Sequence, residues 1–285
     1  MKSRSLQSKL FFAYISLACL ILFSFAVFFY AFVSRQLKQS QISAMNTLNS
    51  SFQTQVDSAI RNLDAVSVNI NYSNQSKTIL DNSFNLNISS NMLSAMSDLF
   101  ISLSGTELKA DQVNLYDFSG YVLEAGISTI VKKTDGSKDE WIEVARELEG
   151  KKVLTPPYCT REYTKTATYD QWFISLYRSF NNQYKRGVGV IETAKQCKSV
   201  FKSIITYKKK NHEDAASIYV FDSNGDLIYP YDISQEYKAA LQPYYELTKG
   251  DDSALTFISP LTGKTEYAAE AVSSYTGYTM SLIHI

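Results

Sequence analysis

Residues 10–33, LFFAYISLACLILFSFAVFFYAFV, form an unbroken apolar run without a charge. A helix rises ~1.5 Å per residue, so roughly 20 such residues cross the hydrocarbon core of a bilayer. The run predicts a transmembrane helix over 10–33. Lys2, Arg4 and Lys9 precede it, while Arg35 and Lys38 follow. That bias favours a cytoplasmic N-terminus (residues 1–9) in a cell membrane, with the chain beyond residue 34 extracytoplasmic. A cleaved signal peptide would carry a shorter apolar run and small residues at its end, where Phe28, Phe29, Tyr30 and Phe32 stand.

The helical period continues past the span. Met45, Leu48, Phe52, Val56, Ala59, Leu63, Val66 and Ile70 recur at steps of three and four, and no Gly or Pro occurs from Ser34 to Ser104. The polar face is Ser, Asn and Gln rather than charge. One stripe of this kind suits a parallel helix pair in a homodimer, or packing on the chain's own domain. After the Asn-rich residues 82–91, Ile88, Met92, Leu93, Met96, Leu99 and Phe100 predict a second helix.

From residue 113 the period becomes that of strands. Val113–Tyr116 and Tyr121–Ile127 flank the turn Asp117-Phe118-Ser119-Gly120. Lys138–Leu148 predicts a helix with Trp141, Val144, Ala145 and Leu148 on one face. Lys152–Leu154, Gln171–Phe180 and Arg186–Thr193 complete a predicted five-strand antiparallel sheet. Residues 195–210 return to helix. Then Ser217–Phe221 and Asp226–Tyr229 flank Asp222-Ser223-Asn224-Gly225, followed by a helix over Tyr237–Leu247, in which Pro243 argues for a break. The strands Ala254–Ser259, Lys264–Ser273 and Tyr278–Ile285 close the chain. The repeated order, with VNLYDFSGYVLEAG matching IYVFDSNGDLIYP, predicts a duplicated α+β module.

Composition narrows the function. The net charge is zero and no basic stripe exists, which argues against nucleic acid as a partner. Cys159 and Cys197 could pair, but their spacing does not require it, and no His/Cys cluster suggests a metal. His212 and His284 have no catalytic partner nearby in sequence. The carboxylates are scattered and no Gly-x-Ser-x-Gly occurs, so the ectodomain offers no catalytic site and implies no cofactor. The twenty tyrosines suit strands, and some of them a ligand pocket.

Several segments together resemble the double Cache sensor domain of bacterial membrane receptors. They are the paired hairpins Tyr116–Gly120 and Phe221–Gly225, the strand Phe173-Ile174-Ser175-Leu176-Tyr177-Arg178, and Gly187-Val188-Gly189-Val190-Ile191-Glu192. The resemblance covers residues 34–285. It implies a helical stalk (34–104), a membrane-distal PAS-like module (105–194), a linking helix (195–212) and a membrane-proximal PAS-like module (213–285). Ser5-Leu6-Gln7-Ser8-Lys9-Leu10 and Asn71-Tyr72-Ser73 resemble sensor histidine kinases of the YesM type, Gram-positive two-component receptors. In that family a second span, a HAMP linker and a kinase domain follow the sensor, so the chain reads as the sensing part of a longer protein. The same sensor also serves chemotaxis receptors and cyclic-dinucleotide enzymes. A membrane-tethered enzyme or adhesin ranks below both.

The resemblance implies a small polar ligand, carbohydrate-like or other, in the distal module. Candidate lining residues are Tyr116, Trp141, Tyr158, Tyr163, Tyr169, Asp170, Trp172, Ser175, Tyr177 and Arg178, with Arg178 for a carboxylate and Asp170 for an amine or hydroxyls. Alternation along the strand places Trp172, Ile174, Leu176 and Arg178 on one face and Phe173, Ser175 and Tyr177 on the other, so only one set can line the pocket. The amino-acid-binding subset carries Arg-x-Trp-Tyr. Arg161-Glu162-Tyr163 is the nearest approach and lacks the Trp, which argues against an amino acid.

Overall fold

The computed structural model describes residues 6–74, 76–77, 90–105, 108–163, 170–181, 187–211, 216–248 and 255–284. The chain divides into two units, residues 1–48 and 49–285. The first is helical from Leu6, within helix α1 (Leu6–Tyr72). Its apolar window is long enough to cross a bilayer and none of it is buried. Side chains such as Phe23, Phe28 and Tyr30 are exposed.

In the second unit, the part of α1 from Asn49 onward buries Phe52, Val56, Ile60, Leu63, Val66 and Ile70. The stripe therefore runs through Ile60 rather than Ala59, because the larger side chain takes the core-facing position. Asn49 is fully buried on the same stripe, and its Nδ2 donates to the carbonyls of Ala269 (2.8 Å) and Met280 (2.9 Å). The stripe thus packs on the chain's own sheets. Helix α2 (Ser90–Ser104) follows. The Asn-rich residues up to 89, including Ile88, lie outside the described residues, as does His212.

The first sheet contains β1 (Gln112–Asp117), β2 (Tyr121–Gly126), β3 (Ile130–Lys133), β4 (Val153–Leu154), β5 (Tyr158–Thr160), β6 (Gln171–Asn181) and β7 (Gly187–Gln196). The order is β3-β2-β1-β7-β6-β4, with β5 also pairing β6, and every pair is antiparallel. Seven strands replace the five predicted. The two additions are short edge strands without period-2 alternation of their own, held by pairing to a neighbour rather than by an apolar face. Helix α3 (Asp139–Glu147) lies against this sheet through Trp141, Ile142 and Ala145. Val144 and Leu148, predicted on its inner face, are exposed.

Strand β7 continues to Gln196, further than predicted, and the following helix is broken at Phe201 into α4 (Cys197–Val200) and α5 (Lys202–Asn211). Phe201 is fully buried and packs on the rings of Tyr229 and Tyr231.

The second sheet contains β8 (Ser217–Phe221), β9 (Leu227–Tyr229), β10 (Leu255–Ile258), β11 (Thr265–Val272) and β12 (Thr279–His284), in the order β10-β11-β12-β8-β9. Helix α6 (Gln235–Thr248) runs without a break through Pro243 and covers it with Leu241 and Tyr244. The order matches β4-β6-β7-β1-β2 of the first sheet, so the internal duplication is one of topology as well as of turn sequence. Both hairpins close alike. Asp117 Oδ1 accepts from the amides of Ser119 (3.0 Å) and Tyr121 (2.8 Å), and Asp222 Oδ1 from those of Asn224 (2.8 Å) and Asp226 (2.9 Å). Gly120 and Gly225 sit at φ +86 and +88, where a side chain would be strained.

Candidate ligand-binding site

The neighbouring strands β2, β1, β7 and β6 bring Glu124, Asn114, Glu192 and Tyr177 into one row across the sheet. Period-2 alternation then sets the rest of that face: Gln112 and Tyr116 on β1, Ser175 and Phe173 on β6. Glu192 is fully buried at the centre of the row. Its Oε1 accepts from Ser175 Oγ (2.6 Å), Tyr158 OH (3.0 Å) and Tyr163 OH (3.1 Å). Its Oε2 accepts from Tyr116 OH (2.6 Å) and Asn114 Nδ2 (2.7 Å). Lys138, just before α3, places Nζ 3.2 Å from Oε2 and donates to the Tyr163 hydroxyl. The same ammonium lies 3.3 Å from Glu162 Oε2 and 4.6 Å from the centroid of the Tyr163 ring. Lys132 extends the network, reaching Glu162 Oε1 at 2.5 Å and Glu124 Oε1 at 2.9 Å.

These contacts fix the protonation states. Burial alone would raise the Glu192 carboxyl, but the Lys138 charge and the bonds from Ser175, Tyr116 and Asn114 outweigh it and hold the group at about 2. Tyr116, Tyr158, Tyr163 and Tyr177 are pushed well above the ordinary tyrosine value, first by burial and then by the neighbouring Glu192 charge. Glu192 is thus a fixed anion and the phenols are fixed donors. A carboxylate this acidic and this fully hydrogen-bonded is a poor general base; it holds geometry and charge.

A cavity of about 260 Å³ opens beside this cluster, bounded by Lys138, Trp141, Thr155, Tyr158, Glu162 and Tyr177 among others. Trp141 and Thr155 also border a cavity of about 410 Å³ that continues to Asp222 and Tyr278, in turns at the end of the second sheet. Of the predicted site residues, Trp141, Tyr158 and Tyr177 form walls of the first cavity. Tyr116, Tyr163 and Ser175 bind Glu192 behind it.

The remaining predicted residues are elsewhere. Trp172 faces away from the cluster and packs on Tyr231. Arg178 points from the opposite face of β6 to α1, where it pairs with Asp64 and donates to Ser67 Oγ (3.1 Å). Asp170 is an exposed residue paired with Arg161, and Tyr169 lies outside the described residues. Cys159 and Cys197 are free thiols, the first exposed and the second buried.

Sequence reasoning missed Glu192, Asn114, Lys138, Glu162, Lys132 and Glu124 as site residues. The signal for two of them was present: a carboxylate ends the apolar run Gly187–Ile191, and an amide interrupts Val113–Tyr116. A polar side chain inside a strand buried on both faces must have partners.

No protein-family model matches the chain, and no curated protein is similar to it. Solved structures do share its fold. The ligand-binding domain of the Campylobacter jejuni chemoreceptor Tlp3, in complex with L-norvaline, superposes with a TM-score of 0.56 at 14% identity, over 87% of this chain and 92% of that one. The ligand-binding domain of the Pseudomonas aeruginosa PAO1 amino acid chemoreceptor PctB, in complex with L-Arg, gives 0.59 at 14% identity, over 86% and 95%. That of PctC from the same organism, in complex with GABA, gives 0.56 at 8% identity, over 87% and 100%. The mixed α+β architecture, a long N-terminal helix followed by antiparallel sheets, is therefore shared with these three domains.

Proposed function

We propose that this chain is the extracytoplasmic sensing region of a membrane receptor. It binds a small polar ligand in the first-sheet module, which lies distal to the membrane, and signals through helix α1. The observation that carries this reading is the buried Glu192 cluster with the 260 Å³ cavity beside it. Aromatic walls with a few fixed polar groups are the usual make-up of a small-molecule site, and this one lies just below the usual ~300–1,000 Å³, which suits a small ligand. The output is a YesM-type histidine kinase in a homodimer. The second reading, a chemotaxis receptor, is favoured by the shared fold of Tlp3, PctB and PctC.

Signalling is a population shift. A ligand moves the two-state equilibrium only by its differential affinity for the two states. Tyr158 and Lys138 are both cavity walls and Glu192 partners, so a ligand that draws the Tyr158 hydroxyl to itself alters the network that Lys138 and Glu192 hold. The test is calorimetry of the full chain in detergent micelles against sugars, organic acids and amino acids. Saturable binding by one class, weakened by Tyr158→Ala, is the expected result. Absence of binding across the panel by protein with native circular dichroism would refute direct sensing.

A further inference from the structure

The cavity beside Glu192 contains an ammonium site that the chain itself has filled. The Lys138 ammonium sits 3.2 and 3.5 Å from the two Glu192 oxygens and 3.3 Å from Glu162, with its side chain only 13% exposed. It also lies 4.6 Å from the ring centroid of Tyr163 and 5.9 Å from that of Tyr158. Two carboxylates and two electron-rich ring faces around one point are what recognise a primary amine. A carboxylate offers about four lone-pair positions, and Glu192 already accepts from five uncharged donors as well as from Lys138. Glu162, the other acid at the cavity, is held by Lys138 and Lys132 together. A ligand ammonium entering here would have to break a buried ion pair to find a counter-charge. A ligand carboxylate meets the same obstacle, since Lys138 is already paired.

We propose that Lys138 is the specificity-determining residue of this cavity: as an internal ammonium it excludes amines and amino acids and leaves the space to an uncharged, hydroxyl-bearing molecule. This rests on the sensing role proposed above for the same cavity and narrows its ligand class. Hydroxyl groups need no counter-charge. They can exchange hydrogen bonds with the hydroxyls of Thr155 and Thr160, while Trp141 supplies an apolar face for a ring.

The test uses the full chain in detergent micelles. Lys138→Ala removes Cγ, Cδ, Cε and Nζ, the heavy atoms of propylammonium. The thermal midpoint of the variant falls, and propylammonium at tenfold its Kd restores about 4 °C of it, whereas uncharged 1-propanol does not. Wild type shows no such response, and Lys138→Ala combined with Glu192→Gln loses it. Equal effects of propylammonium and propanol on the variant, or an equal response of wild type, would overturn the proposal. Because propylammonium reads only the Lys138 position, this result stands apart from whether the chain is a receptor.

Two measurements do not depend on the variant folding. Acetylation of the wild-type chain should modify Lys138 far more slowly than the exposed Lys133 and Lys151; equal rates contradict the assignment. Trp172→Phe leaves Trp141 as the only tryptophan, and its emission should not change on titration with L-valine, L-arginine or GABA. A saturable change with any of the three overturns the exclusion of amines.

Discussion

Glu192→Gln isolates one buried charge, and its effect has a definite pH signature. In the folded chain the Glu192 carboxyl is lowered from 4.5 to about 2. At ~1.4 kcal/mol per pH unit, that difference contributes about 3 kcal/mol to folding. The sign follows from the direction of the shift. The folded form binds its proton less readily than the unfolded form, so the contribution is complete above pH 4.5 and is lost as pH falls through 2. Glutamine keeps the size of the side chain but cannot ionise, and it leaves Lys138 buried without that counter-charge. Removing one partner of a buried pair costs about 3–5 kcal/mol, an independent route to a similar magnitude. Urea unfolding at intervals from pH 6 to pH 2.5, followed by circular dichroism, should therefore show the variant less stable by about 3 kcal/mol at pH 6. The two curves should converge toward pH 2.5. Parallel curves across that interval would mean that Glu192 is not held as a saturated anion, and the electrostatic account of the site would fail.

Four further outcomes follow from the packing. Arg178→Ala strips the mostly buried Asp64 of its guanidinium and should cost about 3 kcal/mol in chemical denaturation, while Asp170→Asn, at an exposed ion pair, should change stability by less than ~1 kcal/mol. Gly189→Ala places a Cβ 2.2 Å from the Tyr116 carbonyl oxygen, which forces β7 away from β1. A loss of at least ~2 kcal/mol is expected, and a neutral effect would refute that close approach. At Gly263 the φ of +69 strains any other residue but nothing lies within 4 Å, so Gly263→Ala should cost only about 1 kcal/mol in the same assay.

Elements that carry their own periodicity are legible in the amino-acid sequence alone. The apolar run of α1, the two Asp-x-x-Gly hairpins and the long strand β6 each announce themselves in a single local window. The alternation along β6 also separates Ser175 and Tyr177 from Trp172 and Arg178 correctly, and the two pairs do lie on opposite faces. Edge strands β3 and β5 are not legible, because their stability comes from partners elsewhere in the chain. Helix α6 was expected over Tyr237–Leu247 with Pro243 weighing against continuity, and it runs unbroken, since burial of Leu241 and Tyr244 outweighs one lost hydrogen bond. The centre of the site is hidden for a related reason. Tyr158 and Glu192 are brought together by β-sheet register and Lys138 by the packing of α3 on that sheet, long-range properties that no local pattern encodes.

The same strand that carries the site faces α1 on its other side, and the two sets of contacts are one residue apart. Ser175 and Tyr177 face the Glu192 cluster. Leu176 and Arg178 lie on the opposite face, and Arg178 reaches α1, where it shares Asp64 with Tyr275 of the turn between β11 and β12. Next to Tyr177 in the sheet, Glu192 is flanked by Thr193, whose hydroxyl donates to the Leu63 carbonyl of α1 at 3.2 Å. A saturated polar network in a low-dielectric interior has no cheap intermediate arrangement, because each donor withdrawn leaves another group unsatisfied. A ligand that takes the Tyr158 hydroxyl for itself would therefore not act on that side chain alone. The imbalance falls on Glu192 and on β6 and β7, the two strands whose opposite faces hold α1. Under the sensing role proposed above, coupling from cavity to helix would need no pathway of successive contacts, only a pair of strands with the Glu192 network on one face and the helix on the other.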